Sequence, residues 1–162
     1  HEISIYRIEF DICVALERLV DAYRKTSKNH QFVLDFGCRE CHIYADPVRI
    51  EQVLENLISN AVKYSCDGGE VRVACSCDER VCQFAIIDNG IGMTSEQVKH
   101  VFDKFYRADE GNTARQGVGL GMSIARHIVE SHGGSISVES EPGKGTAVTF
   151  SVPTRTGSSD GN

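Results

Sequence analysis

No stretch of this 162-residue chain approaches the uninterrupted apolar length that a secretory signal or a bilayer span requires. Blocks of one charge are also missing: acids and bases are interspersed, and the formal net charge is -6. That balance leaves no electrostatic footprint for nucleic acid or an anionic membrane, so a polyphosphate could bind only through local positive groups. No internal repeat is visible. The first residue is His1 rather than methionine, and the expectation is a soluble piece excised from a longer protein. A hydrophobic content of 41% fills one core, so one domain is expected, with a frayed end.

The cysteines number seven, an odd count, and most lie in apolar, strand-like stretches where a thiol behaves as a small hydrophobe. A reducing compartment is the simpler reading. Cys38-Arg39-Glu40-Cys41-His42 spells the C-x-x-C-H pattern of covalent haem attachment. There is no export signal and no second C-x-x-C, and the pattern falls between an expected strand and an expected helix. The favoured reading is an ordinary strand-end turn, with haem, redox or zinc roles as alternatives.

Asp11 can cap a helix over residues 11–28 that turns Ile12, Leu16, Leu19 and Tyr23 inward. Phe32, Leu34 and Phe36 alternate as a strand. Asp46 followed by Pro47 starts a second helix reaching Tyr64, with Ile50, Val53, Leu54, Leu57, Ala61 and Tyr64 as its buried stripe. Alternation at Val71, Val73, Cys75 and Cys77, then a run from Val81 to Ile87 leading into Asp88, predicts a hairpin. Thr94 and Gln97 have capping-box spacing ahead of Val98, Val101, Phe102 and Phe105, which predicts a short helix. Residues 106–116 are polar and aperiodic. A third main helix from Leu120 turns Ile124, Ala125, Ile128 and Val129 inward and stops at Gly133-Gly134. Two strands follow, Ser135 to Glu139 and Thr146 to Val152, joined by Pro142-Gly143-Lys144-Gly145. The expected fold is an α/β sandwich: a mixed, mostly antiparallel sheet of about five strands with three main helices on one face. The expected division is a linker at 1–9, a domain at 10–153 and a disordered tail at 154–162.

Three segments carry chemistry. Asn56, Asn60 and Lys63 stand at i, i+4 and i+7, along one line of the second helix. Amide oxygens are hard ligands suited to magnesium, which shares its coordination with phosphates, and the ammonium adds a point charge for phosphate. A plain solvated helix face would look the same. Asp88-Asn89-Gly90-Ile91-Gly92 ends a predicted strand, where a carboxylate can accept an exocyclic amine while the glycines turn the backbone; Asp-Asn-Gly is also a common turn with no ligand. Gly117-Val118-Gly119-Leu120-Gly121 precedes the third helix, whose N-terminal N–H groups suit phosphate. It has neither the G-x-G-x-x-G spacing of dinucleotide sites nor the Gly-Lys-Ser/Thr ending of a P-loop, and it reads as a mobile lid or a ligand-free hinge.

Together, and in this order, these segments resemble the catalytic ATP-binding domain of sensor histidine kinases. Residues 51–64 look like that family's N box, 88–92 its first glycine box, Val101-Phe102-Asp103-Lys104-Phe105-Tyr106-Arg107 its F box, and 117–121 its second glycine box. The resemblance runs from Phe10 to Val152 and implies the Bergerat-type sandwich shared with gyrase, heat-shock and mismatch-repair ATPases. It implies that Asn60 ligates magnesium with Asn56 assisting, that Lys63 and Arg107 approach phosphate, and that Tyr64 lies against the nucleotide. Asp88 would accept the adenine amine, with Gly90, Gly92 and Thr146 around the base, and Gly119, Leu120 and Gly121 would hold phosphate. Phe102 and Phe105 would anchor the lid, with Arg115 inside it. Catalytic roles fall to Asn56, Lys63 and Arg107.

Hydrolytic relatives place a water-activating glutamate four residues before the magnesium asparagine, and here that residue is Asn56. Glu55 is one step away, turned about 100° off the ligand line on a helix. Related anti-sigma-factor serine kinases usually carry glutamate there as well. The resemblance further implies transfer from ATP to a histidine on a dimerising segment of the same protein, a downstream response regulator, a cytoplasmic site and no nucleic-acid partner. The acceptor segment is not visible in this sequence: His1 has no matching context, and His127 and His132 read as structural. A monomeric fragment of a homodimeric whole is expected. The competing reading is a degenerate nucleotide-binding or interaction domain.

Overall fold

A computed structural model describes residues 3–37, 40–65, 67–106 and 121–154. Helix α1 (Ile12–Thr26) starts where the Asp11 carboxylate accepts the Cys13 N–H at 2.9 Å. Helix α2 (Pro47–Lys63) starts the same way at Asp46, which accepts from the N–H groups of Val48 and Arg49 at 3.1 and 3.4 Å, with proline in the first turn. The short α3 (Ser95–His100) has the capping box formed by Thr94 and Gln97. Helix α4 (Gly121–Ser131) ends beside Gly133, at φ +84°.

Among the described residues the strands are β1 (Ile8–Asp11), β2 (His30–Phe36), β3 (His42–Ala45), β4 (Gly69–Cys77), β5 (Val81–Asp88), β6 (Ile136–Glu141) and β7 (Gly145–Pro153). Five of them form one sheet in the order β2-β4-β5-β7-β6, with β2 parallel to β4 and every other pair antiparallel. This is the mixed, mostly antiparallel sheet the sequence predicts. Period-2 alternation turns Val71, Val73 and Cys75 of β4, Phe84 and Ile86 of β5, and Val148, Phe150 and Val152 of β7 into one buried face. Phe84 and Phe150 stack there with ring centroids 4.7 Å apart. Against that face lie Ile12, Leu16 and Val20 of α1, Ile50, Leu54, Leu57 and Ile58 of α2, and Ala125, Ile128 and Val129 of α4.

Three details depart from the expectations. Strands β1 and β3 pair antiparallel as a separate ribbon, Ile8 opposite Ala45, so β1 crosses the expected boundary between residues 9 and 10. The C-x-x-C-H pattern therefore leads from β2 into a strand rather than into a helix; at four residues each, β1 and β3 are too short to show an alternation. Ile124 is 36% exposed and Met122 is buried instead, because Met122, Ala125 and Val129 make the i, i+3, i+7 stripe and Ile124 steps off it. Finally, Cys77 and Cys82 are joined as a disulfide rather than standing as separate hydrophobes. They face each other across the hairpin.

Candidate functional site

The C-terminal end of β5 and the polar line of α2 face the same region. Asp88 is the last residue of β5 and only 6% exposed. Burial pushes its carboxyl above the usual carboxylate range, and hydrogen bonds from the backbone of Gly90 (2.8 Å) and Thr146 partly oppose that rise. Opposite Asp88 in the ladder stands Thr146 of β7. Its hydroxyl lies 2.8 Å from Ser140 Oγ, which itself donates to the Gly145 carbonyl at 2.8 Å and accepts the Met93 N–H at 2.8 Å. With the Ser140 proton committed to Gly145, Thr146 is the donor in that pair. Ser140 thus ties β6, β7 and the segment after β5 together.

The glycines here answer to steric demands. Gly92 sits at φ +70°, and a Cβ on it would strike the Glu141 carbonyl; a Cβ on Gly90 would strike the Tyr64 carbonyl. That second approach is the docking of the loop on α2, since the Ile91 N–H donates to the Tyr64 carbonyl at 3.0 Å. Tyr64 is the C-cap of α2, and the Lys63 ammonium lies 5.6 Å from its ring centroid. The carboxylate, the cation and the aromatic ring are so joined through one backbone contact.

Asn56, Asn60 and Lys63 are all half-buried on α2. The Asn56 Nδ2 donates to the Gly121 carbonyl at 3.2 Å, which leaves its Oδ1 as the atom for a cation or water. Gly121 opens α4, so the amide line of α2 and the start of the helix after the second glycine box are in direct contact. Glu55 points elsewhere: it is exposed and accepts the Tyr23 hydroxyl of α1 at 2.9 Å. Of the F-box aromatics, Phe102 is half-buried against the core under the Arg126 guanidinium, 5.4 Å from its ring centroid, whereas Phe105 is 70% exposed at φ 66°. Arg107, Arg115, Gly119 and Leu120 lie outside the described residues.

Contacts join Lys63, Tyr64, Asp88, Gly90, Gly92 and Thr146 in one group and Asn56 and Gly121 in a second, with Asn60 on α2 between Asn56 and Lys63. Three further residues support these groups without a site signal of their own in the sequence. Ser140 positions Thr146; Gly145, at φ +94°, lets β7 pass against the Asp88 carbonyl, where a Cβ would collide. His30 bridges Ser27 Oγ (2.6 Å) and the carbonyl of Ser65 (2.7 Å), the residue after Tyr64. The Pro-Gly-Lys-Gly turn signalled the glycine; nothing local signals contacts made between strands.

The family model described as histidine kinase-, DNA gyrase B-, and HSP90-like ATPase matches residues 45–156. The sensor histidine kinase WalK of Bacillus subtilis is 39% identical over 139 residues, covering 83% of this chain and 23% of WalK. The sensor protein SrrB of Staphylococcus aureus is 37% identical over 144 residues, 88% of this chain and 25% of SrrB. The chain therefore spans about a quarter of the length of these curated relatives. Among solved structures, full-length ShkA in complex with AMPPNP superposes with a TM-score of 0.82 at 26% identity, covering 94% of this chain and 32% of ShkA. The mycobacterial sensor histidine kinase MprB shares the fold, with a TM-score of 0.79 at 24% identity over 90% of this chain and 97% of MprB. From the matched family model and the sensor-kinase relatives, the chain belongs to the histidine kinase-, DNA gyrase B- and HSP90-like ATPases, with the fold of a sensor histidine kinase catalytic domain.

Proposed function

We propose that this domain binds magnesium-ATP between α2 and the β5–β7 end of the sheet and donates the γ-phosphate to a histidine on a dimerising segment of the same protein, which then serves a response regulator. The observation that carries the reading is the buried Asp88 carboxylate at the end of β5, lodged beside the backbone-packed glycines 90, 92 and 145 and facing Thr146. A buried carboxylate is stable only with partners, and an exocyclic amine is a partner of the right polarity. Guanine presents a carbonyl at that place, so ATP is preferred over GTP.

For magnesium the fit is one of donor chemistry: Asn60 and the Asn56 Oδ1 offer hard amide oxygens on one half-buried line. Bound there, the cation supplies charge neutralisation between phosphate oxygens. Lys63 holds phosphate by charge, and Tyr64 packs against the nucleotide. Arg107 approaches the γ-phosphate, while Gly119, Leu120 and Gly121 hold phosphate at the start of α4. Because the residue four before Asn60 is an amide and Glu55 is engaged with Tyr23, this chain lacks a positioned base for water at that place, which favours transfer over hydrolysis. The setting is cytoplasmic, and the whole protein is a homodimer, although the fragment is a monomer.

The test supplies a dimerisation segment from a sensor kinase in trans with γ-labelled ATP. Acid-labile, base-stable label on that segment supports the reading. Tight ATP binding with no transfer to any histidine segment favours a degenerate, nucleotide-binding regulatory domain.

A further inference from the structure

At the end of the sheet remote from Asp88, four cysteines converge. Cys75 and Cys77 are two apart on β4 and share a face, Cys82 stands opposite Cys77 on β5, and Cys41 arrives from the residue before β3. The Cys75 sulfur lies 3.3 Å from that of Cys41 and 3.7 Å from that of Cys82, and all four sulfurs fall within 4.8 Å of one another. Cys41, Cys75 and Cys82 are buried and Cys77 is half-buried. Cys77 and Cys82 are joined, while Cys41 and Cys75 are thiols.

A buried cysteine is ordinarily a small hydrophobe, and that account suffices for Cys13, which is buried outside the cluster. It gives no reason for sulfurs from three separate segments to meet at one point. A tetrahedral zinc with thiolates at about 2.3 Å sets neighbouring sulfurs roughly 3.8 Å apart, close to the spacings of Cys75 to its two neighbours. Four soft ligands and no oxygen donor select zinc over magnesium or calcium. We propose that, once the Cys77–Cys82 disulfide is reduced, Cys41, Cys75, Cys77 and Cys82 form a four-thiolate zinc site.

A dithiol reductant passes two electrons and two protons to the Cys77–Cys82 bond and leaves as its own disulfide; one zinc ion then displaces four thiol protons to solvent. Re-oxidation of Cys77 and Cys82 by a disulfide oxidant removes two ligands and releases the ion. The site has a mechanical position, because the Cys41 N–H donates to Asp11 Oδ1 at 3.3 Å and its carbonyl accepts the Ile12 N–H at 2.9 Å. Zinc there clamps the start of α1 to the β4–β5 hairpin. Cys82 and Asp88 are six positions apart on β5, about 20 Å of strand, so the site is independent of the nucleotide proposal.

The test reduces the whole chain with a phosphine under anaerobic conditions, strips it with a chelator and titrates it with cobalt(II), then zinc. The expected result is the thiolate-to-cobalt charge-transfer absorption and intense visible bands of a tetrahedral four-sulfur site, saturating at one equivalent and displaced by zinc. Cys13→Ser keeps these bands, and Cys75→Ser and Cys82→Ser lose the four-sulfur spectrum. Wild-type reduced chain without the bands overturns the proposal even if the serine variants fail to fold. Bands that persist unchanged in Cys41→Ser/Cys75→Ser also overturn it, because they place the metal on other cysteines.

Discussion

His132 accepts the backbone N–H of Asp46 through Nε2 at 3.0 Å and lies 2.9 Å from the Ile128 carbonyl through Nδ1, so the end of α4 holds the first turn of α2 in place. The pattern assigns the proton to Nδ1. The ring is 2% exposed, and burial pushes its pKa below the ordinary histidine value. The two helices so joined carry the amide line and Gly121, whose carbonyl accepts the Asn56 amide.

His132→Phe leaves the buried Asp46 N–H without a partner, whereas the Ile128 carbonyl keeps the backbone N–H of residue 132, a loss of roughly 1–3 kcal/mol at neutral pH. A depressed histidine pKa means the unfolded chain binds the proton first. The His132 contribution is therefore present above about pH 6.5 and is lost as pH falls through the lowered folded-state value. Urea unfolding of both proteins across that range should show the gap between them narrowing toward acid.

Asp88→Asn should weaken ATP binding sharply yet raise the apo thermal midpoint by a few degrees at neutral pH. The folded-state carboxyl is raised by burial, so its favourable contribution exists only below the unfolded value near 3.9 and turns to a cost as pH rises through the folded value. The stabilisation by asparagine should accordingly vanish near pH 4, checked by scanning calorimetry at both pH values. A variant destabilised at pH 7 would contradict the burial argument.

Gly92→Ala and Gly143→Ala separate backbone strain from collision. Both residues have positive φ, +70° and +80°, but only Gly92 faces the Glu141 carbonyl, while the space around Gly143 is open. Gly143→Ala should cost about 1 kcal/mol. Gly92→Ala should cost clearly more, on the order of 3 kcal/mol or above, and lower ATP affinity as the loop shifts. Equal losses in denaturant unfolding would remove the case for close packing at Gly92.

Glu55→Ala should leave ATP affinity and any residual hydrolysis within about twofold while costing roughly 0.5–1.5 kcal/mol through the lost Tyr23 hydrogen bond. Burial, reinforced by that hydrogen bond and the Glu55 charge, pushes the Tyr23 hydroxyl far above its ordinary range. The variant should therefore ionise Tyr23 at lower pH, read by ultraviolet difference absorbance. A large fall in hydrolysis would instead make Glu55 a base.

Elements with strong local signals were legible in the sequence. Asp11 and Asp46-Pro47 announce α1 and α2, Thr94 and Gln97 announce α3, and alternation announces the β4–β5 hairpin, because caps and periodicity are short-range physics. The asparagine line and the Asp88 loop were legible for the same reason. What stayed hidden is non-local. Ser140 reaches Thr146 from the neighbouring strand, His132 reaches Asp46 across 86 positions, and Cys41 reaches Cys75 across 34. Strands β1 and β3 stabilise one another only as a pair, so neither has a pattern of its own to read.

Calorimetric titration of the chain decides whether Asp88 and the α2 amides form a magnesium-ATP site. ATP with magnesium should bind, ATP without metal more weakly, GTP weakly, and Asp88→Asn should abolish the preference for adenine. Absence of ATP binding with magnesium, or equal affinity for GTP in wild type and variant, would rule out an adenine-selective magnesium-ATP site at Asp88 and the α2 amides.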